Sequence, residues 1–121
     1  MATKIKIISA REFLEITPNG IINFITSKQL LVDIAKSEYS KVDHELLVDL
    51  RETQNQLSIT DVYQLAAELC NYDNTFRSKV AIIVSSGVNF DQACFFETCS
   101  LNQGFLVNAF TDYEKAIRWI L

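Results

Sequence analysis

The chain has 121 residues, a length that suits one domain and is too short for two separate hydrophobic cores. Hydrophobic residues make up 49% of it and charged residues 21%, which excludes an intrinsically disordered chain. The net charge of -4, with Lys and Arg scattered, excludes the basic stripe that a nucleic-acid-binding protein needs. We therefore expect a single domain over residues 1–121 that binds no nucleic acid.

The N-terminal segment MATKIKII carries charges between its apolar residues, so the apolar core of a signal peptide does not form. No later apolar run approaches the length of a membrane-spanning helix. These features predict a cytoplasmic protein without membrane insertion. Three cysteines without a CxxC pair, together with the single histidine His44, fit neither a disulfide framework nor a metal site.

The first predicted elements are two strands joined by a tight turn. Pro18 supplies the fixed φ angle of such a turn, and Asn19 with Gly20 supplies the positive one. Residues 11–17 and 21–25 are therefore predicted to form a β-hairpin. The earlier segment KIKII is either a separate strand or the beginning of the first hairpin strand.

After the hairpin, helices alternate with apolar strands. Thr26 or Ser27 can cap the first helix, within the segment TSKQLLVDIAKSEYS. Residues 46–50, 80–84 and 105–110 are apolar on both faces, as in parallel strands that helices cover. Further helices are predicted over residues 61–70, 91–104 and 111–121, with Gly104 ending one and Thr111 capping the last.

The resulting order, β-β-α-β-α-β-α-β-α, predicts an α/β fold. Alternating strands and helices give right-handed crossovers and a mostly parallel sheet. We expect four to five strands, an N-terminal β-hairpin and four helices. Neither the G-x-G-x-x-G nor the G-x-x-x-x-G-K-[ST] phosphate loop occurs, so no nucleotide cofactor is predicted.

Ligands of open α/β sheets bind at the carboxyl ends of the strands. The residues that follow the predicted strands are polar, but they include no His and no Cys to serve as nucleophile or base. No catalytic, cofactor-binding or metal-ligating residue is therefore predicted. They form instead a candidate rim for interactions: Arg51, Glu52, Gln54, Asn55, Ser85, Ser86 and Asn89.

Two hydroxyls precede the helix predicted over residues 61–70. One of Ser58 and Thr60 can be its N-cap, with Asp61 favoured in the first turn. Alternatively, a phosphate added to either hydroxyl would meet free amides at the helix N-terminus and act as a switch. Both interpretations stay open on the residues alone.

The run VDLRETQNQLSITDVYQLA resembles the centre of the STAS family, the domain of bacterial anti-sigma-factor antagonists and sulfate-transporter tails. Aligned on Asp49 and Leu50, the phosphorylatable Ser of the antagonists falls at Ser58. The family's Asp-Ser-Ser/Thr-Gly motif is not kept, because Leu57, Ile59 and Thr60 occupy its other positions. The resemblance implies a strand pair followed by alternating helices and strands.

A second resemblance covers the C-terminal part, FFETCSLNQGFLVNAFTDYEKAIRWIL, which is similar to small bacterial proteins called STAS-like or STAS/SEC14-like. The shared pattern places Glu97, Thr98 and Asn102 along one helix, as a polar helix face that either hydrogen-bonds a neighbouring loop or contacts a ligand or partner. The other shared positions are Phe95, Gly104, Phe110, Thr111, Asp112, Ala116 and Trp119.

These resemblances imply first a nonenzymatic regulatory or protein-interaction module, which uses loop 51–58, helix 61–70 and loop 85–90. The SEC14 likeness implies an alternative, a small-molecule or lipid-binding domain in which Phe90, Phe95 and Phe96 could line a pocket. An enzyme ranks third. The expected partner is another protein, and an exposed hairpin edge is compatible with a homodimer.

Overall fold

A computed structural model of the chain describes residues 3–8, 13–36 and 45–121. The described residues therefore do not include His44, residues 11–12 of the predicted hairpin or residues 37–40 of the predicted first helix. Within the described ranges the strands are β1 Thr3–Ile8, β2 Phe13–Pro18, β3 Gly20–Ile22, β4 Glu45–Asp49, β5 Thr53–Asn55, β6 Val80–Ile83 and β7 Val107–Phe110. The helices are α1 Phe24–Lys36, α2 Ile59–Glu68, α3 Asp73–Phe76, α4 Val88–Asn102 and α5 Tyr113–Ile120, with a 3₁₀ turn at Leu69–Tyr72.

Five strands form the main sheet, in the order β1-β2-β4-β6-β7. Strand β1 is antiparallel to β2, and every other pair in this sheet is parallel. The mostly parallel α/β fold with an N-terminal hairpin is thereby confirmed, with the one-turn helix α3 in addition to the four predicted helices. The apolar runs form the central strands β4 and β6 because helices exclude water from both faces of the sheet.

Side chains that alternate along the strands build two separate cores. Leu47, Ala81 and Ile83 pack against α5 on one face. Leu46, Val48, Val80 and Ile82 belong to a larger core on the opposite face, with buried side chains of α1 and α4 such as Leu30 and Ala93. The alternation follows from the two-residue period of a strand. We call these the α5 face and the α1/α2/α4 face.

The predicted hairpin between residues 11–17 and 21–25 is wrong, because the antiparallel pair is formed by β1 and β2. Strand β2 pairs with β1 on one side and with β4 on the other, so neither edge is left for residues 21–25. Gly20 does adopt a positive φ of 90°, but the chain continues as β3, which pairs in parallel with β5. A second sheet of two strands therefore lies where the sequence predicts a hairpin strand and an irregular loop.

Two predicted helix caps are also wrong. Asn23 caps α1: its Oδ1 accepts from the Thr26 amide at 2.9 Å, and Thr26 Oγ1 accepts from the Asn23 amide at 2.8 Å. This reciprocal pairing starts the helix earlier and leaves Ser27 inside it. Asp112, not Thr111, caps α5, because Asp112 Oδ1 accepts from the Glu114 amide at 2.9 Å.

Helix α4 ends as predicted near Gly104, although it begins at Val88, three residues before the predicted start. Gly104 has a φ of 91°, and its amide donates to the Leu101 carbonyl at 3.0 Å. The Phe105 amide donates to the Ser100 carbonyl at 3.0 Å. This pair of bonds is a Schellman motif, in which glycine takes the left-handed position without a steric penalty.

Candidate functional site

A cavity of about 140 Å³ lies within the core of the α1/α2/α4 face. Its floor is the sheet, through residues such as Val48, Ile82 and Val107. Its walls are apolar side chains of the three helices, among them Ile34 and Leu65. An engineered apolar cavity of comparable volume in another protein stays dry and binds benzene. The cavity is therefore large enough for a small organic molecule.

Among the residues that the structure describes, those that line the cavity are almost entirely apolar, and none of them carries a charge. A charged group that entered would lose its hydration without an ionic partner, which is strongly unfavourable. The cavity consequently favours apolar and uncharged molecules. Its polar lining residues are Ser27, Thr53, Asn55, Asn89 and Gln92.

Three of these polar residues form a carboxamide network between β5 and α4. Asn55 Nδ2 donates to Asn89 Oδ1 at 3.1 Å and to Gln92 Oε1 at 2.5 Å. Gln92 Nε2 donates to the Leu57 carbonyl at 2.9 Å, and the Leu57 amide donates to Asn55 Oδ1 at 2.8 Å. The network of Asn55, Asn89 and Gln92 thus holds the segment after β5 against α4.

Local hydrogen bonds shape the segment that leads into this network. Thr53 Oγ1 donates to the Leu50 carbonyl at 2.6 Å, which turns the chain after β4. The Gln56 amide donates to the Ile22 carbonyl at 2.7 Å and extends the β3–β5 pairing. Ser58 then starts α2, so the segment is fixed at both ends and Asn55 and Leu57 face the cavity.

The structure divides the candidate rim instead of forming one continuous site. Asn55 and Asn89 come together in the carboxamide network. Arg51 instead reaches toward the α5 face, where its guanidinium carbon lies 5.9 Å from the ring centroid of Tyr113. The remaining rim residues, Glu52, Gln54, Ser85 and Ser86, are exposed.

Asp49 holds Arg51 in this position. The Arg51 Nε and Nη2 atoms donate to the two Asp49 carboxylate oxygens at 2.9 and 2.8 Å. Burial alone would raise the pKa of the Asp49 carboxyl, but the Arg51 side-chain and amide hydrogen bonds outweigh it and lower that pKa below its ordinary value. The same bond to Asp49 raises the pKa of Arg51. Both groups are therefore ionised and paired near neutral pH.

Of the two candidate hydroxyls, Ser58 is the N-cap of α2. Its Oγ accepts from the Asp61 amide at 3.0 Å, and the Asp61 carboxylate accepts from the Ser58 amide at 2.9 Å. This is a capping box, with Asp in the position usually held by Glu or Gln. Thr60 lies in the first turn of α2, and both residues are exposed.

The polar helix face makes two hydrogen bonds within the protein. Glu97 Oε1 accepts from the Ala109 amide of the edge strand β7 at 2.8 Å, which satisfies a donor that would otherwise be unpaired at the sheet edge. Thr98 Oγ1 donates to the Cys94 carbonyl one turn earlier at 3.1 Å. Asn102 is exposed at the last residue of α4.

Of the three phenylalanines predicted to line a pocket, Phe96 does so. Phe90 packs against the same core without lining the cavity, and Phe95 is half-buried elsewhere on α4. Successive residues of a helix point about 100° apart, so Phe95 and Phe96 cannot both face the sheet squarely. The aromatic cluster in the sequence is therefore only partly a cavity wall.

Among the polar residues that line the cavity, Gln92 and Ser27 were not predicted to face a site. Gln92 follows Asn89 by three residues, a spacing that places both on one face of a helix. If α4 is taken to begin at Val88, this spacing predicts that Gln92 lies beside Asn89. Ser27 was considered only as a helix cap, and nothing in its local sequence shows that it faces a cavity.

No cluster of three or more His, Cys, Asp or Glu side chains suited to a metal occurs among residues 3–8, 13–36 and 45–121. Within the same ranges, no helix combines the length and apolar character needed to cross a membrane. Cys70, which lies in the 3₁₀ turn after α2, is exposed. Burial and the nearby Glu97 and Asp91 raise the pKa of the Cys94 thiol.

No protein-family model matches the sequence, and no curated protein matches it either. A solved structure does: an uncharacterized protein of the DUF3478 family from Shewanella loihica PV-4, described as having a SpoIIAA-like fold. The two chains are 19% identical, and the match covers 99% of this chain and 93% of that one with a TM-score of 0.59. The chain therefore has the SpoIIAA-like fold, the STAS-like fold that both resemblances in its sequence predict.

Proposed function

We propose that this protein is a nonenzymatic STAS-like binding module that takes a small, mainly apolar molecule into the cavity of the α1/α2/α4 face. The observation that carries the proposal is the cavity itself, about 140 Å³ in volume, with no charged side chain among the described residues that line it. Protein cores are close-packed, and voids larger than a water molecule are few. A cavity of this size is therefore unusual in a small domain, which supports a binding role.

The energetic cost of leaving the cavity empty supports this proposal. For an enclosed void, roughly 24 cal/mol per Å³ would give a cost of about 3 kcal/mol at this volume, and this is an upper bound here because the cavity is partly open to solvent. The free energy of unfolding of a typical domain is roughly 5 to 15 kcal/mol, so such a cost is a large share of it. A ligand that fills the space would recover part of this free energy and raise the stability of the complex.

Native mass spectrometry of protein purified from its own host tests the proposal. We expect a consistent extra mass on the wild-type chain. Ala93→Leu places a larger side chain in the cavity and should remove that mass, whereas the same substitution at exposed Ala67 on α2 should keep it. Absence of any extra mass, together with failure to bind added benzene, contradicts the proposal.

A second candidate function, protein interaction through loop 51–58, α2 and loop 85–90, is favoured by exposed apolar side chains on that surface. Ile59, Tyr63 and Val88 are 55%, 58% and 72% exposed. Large apolar side chains that stay in water near one another are typical of interaction sites. Such a module would act in the cytoplasm on a protein partner. The STAS resemblance implies a regulatory role of this kind.

Capture of partners from a lysate, with folded Arg51→Ala and Ser58→Asp proteins beside the wild type, tests the second candidate. Aspartate is a good N-cap, so Ser58→Asp should retain α2. Loss of a partner in either variant supports an interface there, and retention of every partner by both contradicts it. Phosphorylation of Ser58 would bring a phosphate beside the Asp61 carboxylate in the capping box, which would loosen the first turn of α2.

A further inference from the structure

Ser27 presents a hydroxyl to the cavity without using it inside the protein. Its side chain lines the cavity, and the residue is only 8% exposed. Among the described residues, none forms a hydrogen bond with the Ser27 hydroxyl. Because it faces the cavity, this hydroxyl can hydrogen-bond a molecule that enters it.

The hydroxyl of Ser27 is not used in the way usual for a helical serine, which donates to the carbonyl three or four residues earlier. The carbonyl four residues earlier is that of Asn23, which accepts from the Ser27 amide at 2.9 Å. Thr26 Oγ1 donates to the Ile21 carbonyl at 2.9 Å and lies farther, at 3.3 Å, from the Asn23 carbonyl. Because no described residue bonds it, the Ser27 hydroxyl remains available to a molecule in the cavity.

Most of the other polar groups that line the cavity are committed elsewhere. Asn55 and Gln92 bond each other and the backbone of Leu57, and Thr53 Oγ1 donates to the Leu50 carbonyl. Asn89 Oδ1 accepts from Asn55, which leaves Asn89 Nδ2 as a further donor. No charged side chain occurs among the described residues of the lining, so none of them would compensate a carboxylate or an ammonium group. The described lining thus offers a ligand an apolar surface, the Ser27 hydroxyl and the Asn89 amide group.

We propose that the ligand is uncharged and mainly apolar, with one hydroxyl or carbonyl group that hydrogen-bonds the Ser27 hydroxyl. This inference rests on the proposed function and specifies the chemical class of its ligand. A medium-length alcohol or a neutral carbonyl compound meets the description. The ionised form of a fatty acid does not.

Titration of the methyl-labelled protein with benzene, hexan-1-ol and hexanoate at pH 7, followed by NMR, tests the inference. We expect hexan-1-ol to bind the wild type at least about tenfold more tightly than hexanoate, because the carboxylate must be desolvated. Ser27→Ala should weaken hexan-1-ol binding by about threefold to tenfold, as for the loss of one neutral hydrogen bond. The same substitution should leave benzene binding unchanged.

Ser100→Ala is the matched control. Ser100 is also a helical serine, fully buried and without a hydrogen-bond partner for its hydroxyl, but it does not line the cavity. Its substitution should change none of the three affinities. Both variants replace a buried serine, whose hydroxyl no described residue bonds, with a good helix former, so both should remain folded.

The possible failures are distinguishable. If benzene binds but hexan-1-ol binds equally well to wild type and Ser27→Ala, the assignment of Ser27 is overturned and the proposed function stands. If hexanoate binds as tightly as hexan-1-ol, the assignment to an uncharged ligand is overturned in the same way. If none of the three probes binds the wild type, the proposed function is overturned together with this inference.

Discussion

The two faces of the main sheet are built from the same strands but differ in how completely they are filled. On the α5 face, Leu47, Ala81 and Ile83 are 0% exposed. On the α1/α2/α4 face, their strand neighbours Val48, Val80 and Ile82 retain 7%, 5% and 8% because they border the cavity. One face stabilises the domain by close packing, and the other contains the cavity.

The sharpest test of this contrast uses two neighbouring isoleucines of β6. Ile83→Ala should destabilise the protein by about 4 kcal/mol, since it opens a void in a fully packed core. Ile82→Ala should be about 1 kcal/mol milder, because part of the Ile82 surface already faces the cavity. Urea unfolding measures both. Equal losses, or a larger loss at Ile82, would mean that the two faces are packed alike.

Enlarging alanines on the two faces should have opposite effects. Ala81→Leu overfills the α5 face and should destabilise by about 2 kcal/mol. Ala93→Leu extends into the cavity and should be neutral or stabilising by about 1 kcal/mol. Thermal unfolding of ligand-free protein compares them. Destabilisation by Ala93→Leu as large as that by Ala81→Leu would show that the cavity cannot accept added atoms.

The next prediction concerns the carboxamide network, which holds the segment after β5 against α4. Gln92→Leu removes the bonds to Asn55 and to the Leu57 carbonyl and should destabilise by about 1 to 2 kcal/mol. Hydrogen exchange at residues 55–57 should become faster. The exposed Gln64→Leu on α2 is the control and should change neither. Unaltered exchange in Gln92→Leu would show that the network does not hold this segment.

The smallest expected effect lies at the Asp49–Arg51 pair beside the α5 face. Its lowered pKa means that Asp49 stabilises the fold above the ordinary carboxyl pKa of about 3.9, and that this contribution is lost as pH falls through the folded value. Asp49→Asn should therefore cost about 0.5 to 1 kcal/mol at pH 7, a modest loss because Arg51 is exposed to solvent.

Urea unfolding of wild type and Asp49→Asn over pH 2 to 7 provides the measurement. The stability difference should narrow as pH falls through the lowered pKa of Asp49, because a protonated Asp49, like the asparagine that replaces it, carries no charge to pair with Arg51. Glu52→Gln removes an exposed charge beside Arg51 without breaking a hydrogen bond to it, and should leave stability nearly constant. A difference independent of pH would contradict the pairing.

Much of the fold follows from local patterns in the sequence. Continuous apolar runs identify β4 and β6, and Gly104 identifies the end of α4. The pairing of β3 with β5 could not be predicted from local sequence. Both edges of β2 are already paired, one with β1 and the other with β4, so β3 cannot pair with β2. Register and partner choice are tertiary properties that no short window contains.

The site was less predictable than the fold. The strand-end rule correctly singles out Asn55 and Asn89, which meet across 34 residues of sequence. It also singles out Arg51, which turns to the opposite face because Asp49 binds it. The cavity depends on the sum of many side-chain volumes between sheet and helices, and neither Ser27 nor that empty space has a signature in residue order.

The most direct test of the central claim is a benzene titration of methyl-labelled wild-type protein. We predict saturable chemical-shift changes at methyls that line the cavity, such as Val48, Ile82 and Val107. The methyls of Leu47, Ile83 and Ile117, in the α5-face core, should stay nearly unchanged. Absence of saturable changes, or equal changes in both sets, would contradict a ligand cavity confined to the α1/α2/α4 face.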